Sequence, residues 1–189
     1  MNDSRKTIRI QRWVAILSVV LLLTKLVAYY LTHSVAILTD ALEGIVNVVA
    51  GFIGLYSLIL SAKPRDADHP YGHGKIEFVS AALEGSMIAM AGVMIFYKSI
   101  SNLITPQPLH QIDWGILLVS ITAVANYLVG SLCVRTGKRN NSIALVASGK
   151  HLQSDTYTTI GIIAGLALIY ITNIYWIDSV VAMLISGLI

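Results

Sequence analysis

Apolar residues in this chain fall in long runs, each near the ~20 residues that cross the ~30 Å hydrocarbon core of a bilayer, with short polar patches between them. The runs predict six spanning helices: Ile10–Thr32, Ser34–Ala62, Ile76–Ile104, Ile112–Arg135, Ser142–Thr172, and Tyr175 to the last residue. The expected fold class is an all-α membrane protein. Arg5, Lys6, Arg9 and Arg12 before the first run imitate the basic start of a signal peptide. That run is too long for a signal sequence, contains Lys25 and shows no cleavage site, so it counts as a helix. The sixth run stops at Ile189 after about 15 residues, short of a comfortable span, so the expectation is a membrane domain truncated from a longer protein.

Composition supports the pattern. Of 189 residues, 56% are hydrophobic and only 12% charged, whereas soluble domains average about 25% charged. The basic residues set an orientation. Lys63, Arg65 and Lys75 lie between helices 2 and 3, and Arg135, Lys138 and Arg139 between helices 4 and 5. The connections around His33, Pro106–Gln111 and Asn173 hold no Lys or Arg. The positive-inside rule then makes the N-terminus and both basic loops cytoplasmic, and six spans return the C-terminus to the same side. A net charge of +3 forms no contiguous patch, so lipid rather than nucleic acid is the expected partner. The single cysteine, Cys133, excludes an internal disulfide framework and a cysteine-built metal site.

Ionisable residues inside hydrocarbon are expensive and usually functional. Here they are Lys25, Asp40, Glu43, Asn47 (polar but uncharged), Glu84, Lys98, Lys150, His151 and Asp155. His151 and Asp155 are four apart and share one helix face, and Glu43 and Asn47 repeat that spacing on helix 2. Entering from outside near Ser34, helix 2 carries Glu43 and Asn47 roughly 14 and 20 Å down at 1.5 Å per residue. Helix 5, entering from inside near Ser142, puts His151 and Asp155 about 16 and 10 Å from the outer face. The two pairs therefore overlap in depth. If the helices are neighbours, one imidazole nitrogen and three oxygen donors converge, a set that suits tetrahedral Zn²⁺ most readily and also accepts Fe²⁺, Mn²⁺ or Co²⁺. Two carboxylates neutralise a 2+ ion, and the same groups take up protons when the metal leaves.

The bland alternative is that intramembrane His and Asn only hydrogen-bond between helices; two pairs at matched depth weigh against it. Lys25 and Lys98 are expected to snorkel or to pair, with Asp40 and Glu84 as partners or supporting groups, and none is assigned as a ligand. The spacing from Gly161 to Gly165 predicts close helix packing.

A second candidate is the loop "PRDADHPYGHGK", where Asp66, His69 and His73 bring a carboxylate and two imidazoles into eight residues. Pro70, Gly72 and Gly74 break any helix there and let the loop fold around an ion. A solvated turn with incidental histidines is the competing reading.

"HPYGHGKIE", "LTDALEGIVN" and "HLQSD" resemble the cation diffusion facilitator family, and the likeness continues through "TKLVAYYLTHSVAIL" and "YWIDSVVAML" to cover nearly the whole chain. The resemblance implies that residues 1–189 are a transmembrane transport domain of six helices, in a homodimeric carrier that exports zinc or related divalent metals in exchange for protons. It implies no enzyme activity. In the family, a pair of ligands on helix 2 meets a similar pair on helix 5. Here helix 5 matches through His151 and Asp155, while helix 2 offers Glu43 for the usual His or Asp, and Asn47 for the usual Asp. The set is harder and has one neutral arm, which shifts weight toward Mn²⁺ or Fe²⁺. Asp66, His69 and His73 match the loop site of some bacterial members. The family's cytoplasmic C-terminal domain is not in this chain. Short loops and small size fit a bacterial inner membrane. The rival function is a binding or assembly protein that keeps the fold but, through Asn47, has lost transport. An intramembrane hydrolase has no support, since no HExxH-type pair occurs.

Overall fold

The computed structural model describes residues 2–61, 73, 75–139 and 143–188. Six helices follow in order: α1 Asn2–Thr32, α2 Val35–Ser61, α3 Ile76–Ile104, α4 Ile112–Arg139, α5 Ile143–Thr172 and α6 Trp176–Leu188. No strand occurs among the described residues. Five helices contain stretches long and apolar enough to cross a membrane, beginning with Arg12–Thr32 and ending with Leu145–Thr172. α6 is apolar but shorter, about 20 Å at 1.5 Å per residue. The apolar pattern located every helix. It missed that α1 begins at Asn2 and that α4 continues to Arg139, because a helix does not stop where its side chains become polar unless a breaker intervenes.

The chain is wrapped for lipid. Tyr30, Val93, Tyr97, Ile104 and Ile171 are each more than 70% exposed, a distribution untenable in water but the low-energy one in hydrocarbon. The interior is mixed. Leu145, Ile162, Leu166 and Ile169 are buried beside fully buried Thr32, Thr39, Asp40, Thr122 and Thr159.

Helices α4 and α5 share the most extensive contact, and α1 packs on both α2 and α4. α3 packs on α2 and α6, and α6 also reaches α2 and α5. Helix α2 thus touches α1, α3, α5 and α6 and stands at the centre of the arrangement. The α4–α5 contact is a backbone approach at two glycines. A Cβ on Gly130 would lie 2.7 Å from the Gly149 carbonyl oxygen, and one on Gly149 would lie 2.6 Å from the Gly130 carbonyl oxygen. The expected Gly161–Gly165 packing is half corrected. Gly165 does meet Val181 of α6, but nothing lies within 4 Å of a Cβ at Gly161, because a four-residue step also turns the helix by about 40°.

Two polar links tie α6 into the bundle. Asp178, buried at the start of α6, accepts hydrogen bonds from the Ser34 hydroxyl and the Val35 and Ala36 amides. It therefore caps the N-terminus of α2 from a different helix, satisfying donors that hydrocarbon would leave orphaned. Asn102 of α3 donates to the Ser179 hydroxyl at 2.9 Å.

Candidate metal centre

The i,i+4 pairs on α2 and α5 do face one another. Asn47 Nδ2 donates to Asp155 Oδ2 at 2.7 Å. The His151 Nε2–H donates to Asn47 Oδ1, also at 2.7 Å. His151 Nε2 stands 3.8 Å from Asp155 Oδ1. Asn47 is therefore the hub, joined to both α5 residues. Glu43, one turn earlier on α2, is buried beside them, and its Oε2 and Asp155 Oδ1 are buried carboxylate oxygens without a hydrogen-bond partner. A buried acceptor left unmatched is costly, and two adjacent buried carboxyls form a receptor for positive charge, a proton shared between them or a cation.

Glu43, Asn47, His151, Ser154 and Thr158 line a cavity of about 190 Å³ between α2, α3 and α5, closed on the α3 side by Ile88, Ala91 and Ile95. The volume accommodates an ion with several waters, each of which occupies about 30 Å³ in the liquid. His151 is 41% exposed and Asp155 only 2%, so the imidazole stands toward the opening and the carboxylate at the back. Behind them, a water-sized cavity of about 20 Å³ borders Lys25, Asn47, Asn126 and Asp155 on the α1–α4 side.

Lys25 and Asp40 form the supporting pair. Lys25 Nζ lies 2.8 Å from Asp40 Oδ1, with side chains 3% and 0% exposed. Thr159 of α5 donates to the same Asp40 oxygen at 3.2 Å. One contact set thus joins α1, α2 and α5 beside the cavity. Of the four flanking charges, Lys25 and Asp40 pair with each other and Lys98 is exposed, while the Glu84 side chain lies outside what the structure describes. Counting Lys25 against Asp40, Glu43 and Asp155 leaves two negative charges when all are ionised, the charge of one divalent cation.

The structure places Glu43, Asn47 and His151 on one cavity, with Asp155 behind them on the smaller one, and does not enclose an ion with the four. Among the described residues, no three His, Cys, Asp or Glu side chains stand grouped to hold a metal. Asn47 occupies the middle, and its contact with His151 is closer than the roughly 3.3 Å between two ligands of one tetrahedral ion. Of the loop candidates, Asp66 and His69 lie outside the described residues. His73 is half-buried at the turn into α3, where its carbonyl accepts the Ile76 amide at 3.1 Å. Ser154 and Thr158 were not singled out from sequence, although both sit at i+3 from a named ligand and so share its face. Asp178 was also missed; an acid in the first turn of a helix does not single it out, since α4 starts with Asp113 in the same way.

An all-helical bundle with five helices long and apolar enough to cross a bilayer, and charged and amide side chains buried between them, defines a multi-pass membrane protein. The particular family follows from comparison: a model of the cation efflux transmembrane domain matches residues 12–189. The chain belongs to this cation efflux, or cation diffusion facilitator, family of transporters. An uncharacterized transporter of Synechocystis sp. is 40% identical over 181 residues, 94% of this chain and 58% of its own length. A cation-efflux pump, FieF, of Escherichia fergusonii is 32% identical over 148 residues, 78% of this chain and 49% of that pump. The magnetosome protein MamB of Magnetospirillum gryphiswaldense is 28% identical over 153 residues, 81% and 52% of the two chains. The chain thus spans about half the length of these curated relatives.

Proposed function

We propose that this chain is the membrane part of a carrier that exports a divalent cation from the cytoplasm in exchange for protons, with Glu43, Asn47, His151 and Asp155 as the transport ligands. The observation that carries the reading is the pair of buried carboxyl groups, Glu43 on the cavity that His151 and Asn47 also line and Asp155 directly behind it, whose Oε2 and Oδ1 accept no hydrogen bond from an N–H or hydroxyl donor. Zn²⁺ is the first candidate, with Fe²⁺, Mn²⁺ and Co²⁺ following, because the set holds one nitrogen and three oxygen donors.

The chemistry of exchange follows from the contacts. To ligate through Nε2, His151 would take the tautomer with its proton on Nδ1, so that its hydrogen bond to Asn47 is lost and Asn47 Oδ1 is free to turn to the ion. Asp155 then trades its Asn47 hydrogen bond for the metal. When the cation departs, two carboxylates and an imidazole remain in a low-dielectric interior, where protons restore neutrality. Metal and protons thus compete for the same atoms, which is the requirement of an antiporter.

With the basic loops on the cytoplasmic side, the chain opens the cavity alternately to each face of the membrane, which we place at the bacterial inner membrane. The whole carrier acts as a homodimer, and Asp66, His69 and His73 form a second cation site in the cytoplasmic loop. A second reading is favoured by one observation: Asn47 already satisfies both His151 and Asp155, which suits a locked site in a binding or assembly protein.

Flux in proteoliposomes separates the two. Under an imposed pH gradient, the wild type is expected to move at least one of Zn²⁺, Fe²⁺, Mn²⁺ and Co²⁺, and Asp155→Ala none, with its helical content unchanged. No flux of any of the four metals would leave only the locked-site reading, and full flux in Asp155→Ala would remove the site.

A further inference from the structure

On the end of the bundle opposite the basic loops, two histidines from separate connections meet. His33 ends α1, and His110 belongs to the segment joining α3 to α4. Both are exposed. Their ring centroids stand 5.9 Å apart with the planes at 84°. We propose that His33 and His110 together bind a divalent transition-metal ion on this face of the membrane, as a site separate from the one between α2 and α5.

The placement of both side chains is built into the backbone. His110 donates its own amide to the Thr32 carbonyl at 3.1 Å, which clasps the two connections at His110 itself and one residue before His33. Thr32 is fully buried and packs where a Cβ on Gly115 of α4 would collide with it. Leu109, next to His110, is buried as well. The clasp therefore rests on packed residues on both sides.

Backbone conformation adds an independent sign. His33 sits at φ 58° and Gln111 at φ 43°, a region in which glycine is the easier residue and strain tends to mark ligand clamps. His33 follows the last turn of α1, with its amide bonded to the Tyr29 carbonyl at 2.8 Å, a position that glycine commonly fills. A histidine kept there supplies a side chain that the turn itself does not need.

The geometry is close to ligation. Two imidazoles bound through nitrogen at about 2.0–2.1 Å to one tetrahedral ion have centroids roughly 5 Å apart, so the rings need approach by only about an ångström. The terminal torsion of histidine is broad and both rings face solvent, so rotation brings a nitrogen of each to one point. Two neutral imidazoles select borderline ions such as Zn²⁺, Ni²⁺ or Cu²⁺ over Ca²⁺ or Mg²⁺, with water completing the shell. The connections around them carry no Lys or Arg to repel the ion. Tyr29 and Tyr30, 6.4 Å from His33, flank the pair at the depth where aromatic residues meet the headgroups. On the orientation proposed above, this is the outer face, so the site would receive a cation leaving the bundle; binding itself does not depend on that reading.

The test uses Ni²⁺ as probe and the full chain in detergent micelles, with bound metal counted by equilibrium dialysis. His33→Gly relaxes the backbone, and His110→Ala keeps the clasping amide, so both variants should fold. Each is expected to remove one Ni²⁺ per chain or to weaken it at least about tenfold, since even outer-shell partners of metal ligands are worth 10–100-fold. The double variant should lose no more than either single one, because both rings serve one ion. Asp155→Ala should retain this ion, which separates failure here from failure of the transport site. Unchanged Ni²⁺ binding in the double variant, or two independent losses that add, would overturn the proposal and leave an aromatic contact between two rings.

Discussion

At the scale of single residues, Asn47 decides how the centre behaves. As an amide it can donate to one ligand and accept from another, and it does both, holding Asp155 and His151 at 2.7 Å each. A carboxylate in its place has no donor to offer Asp155 and sets two anionic oxygens against each other. Asn47→Asp is therefore expected to destabilise the metal-free protein by about 1–3 kcal/mol, the cost of a buried bond broken with one partner left unmatched. The same change adds a second carboxylate on α2 and should tighten Zn²⁺. Thermal unfolding with and without Zn²⁺, together with calorimetry, checks both signs; weaker Zn²⁺ binding would remove Asn47 from the ligand set. Lys25 supplies the contrasting case of a charge held for its partner. Lys25→Ala leaves the Asp40 carboxylate buried and unpaired, for a loss of about 3–5 kcal/mol, whereas Lys25→Met with Asp40→Leu should recover most of it. If the double variant in detergent melts as low as the single one, the pair does more than neutralise itself.

At the scale of helices, the sequence was legible where periodicity and length suffice and opaque where contact decides. Runs of apolar residues located all six helices, since a bilayer imposes nearly one length on each. Spacing and depth were enough to match Glu43 and Asn47 in level with His151 and Asp155, because rise per residue converts sequence number into position along the membrane normal; the α2–α5 contact then joins Asn47 to both. Rotation about the helix axis was harder. The glycines that bring backbones together are Gly130 and Gly149, one on each helix, rather than the Gly161–Gly165 spacing along one of them. A sequence pattern within a helix does not say which face meets a neighbour. Substitutions should rank accordingly. Gly130→Ala forces α4 from α5 and should cost about 1–3 kcal/mol. Gly161→Ala meets open space and should be neutral or gain up to about 1 kcal/mol from helix propensity. Equal melting temperatures for the two variants would contradict the close approach. Asp178 capping α2 belongs to the same class of cross-helix features, invisible until two helix starts are seen side by side.

At the scale of the whole molecule, the arrangement divides labour. α4 and α5 are pinned by the glycine contact, α1 is joined to α2 and α5 through Asp40, and α3 closes one wall of the cavity while contacting only α2 and α6 among its principal neighbours. An element held by fewer neighbours is the natural one to move, and α3 with α6 is the pair whose displacement would open the cavity without breaking the ligand-bearing helices apart. Membership of a cation efflux family and two buried carboxyl groups, Glu43 on the mid-depth cavity and Asp155 behind it, point the same way. An anomalous-difference map from crystals soaked in Zn²⁺ tests this most directly. The expected result is a peak between α2 and α5, within about 2.0–2.2 Å of Glu43, Asp155, His151 and the Asn47 oxygen, accompanied by loss of the Asn47–His151 hydrogen bond. Zn²⁺ found at other positions with that hydrogen bond intact would contradict the assignment of these four residues as the transport site.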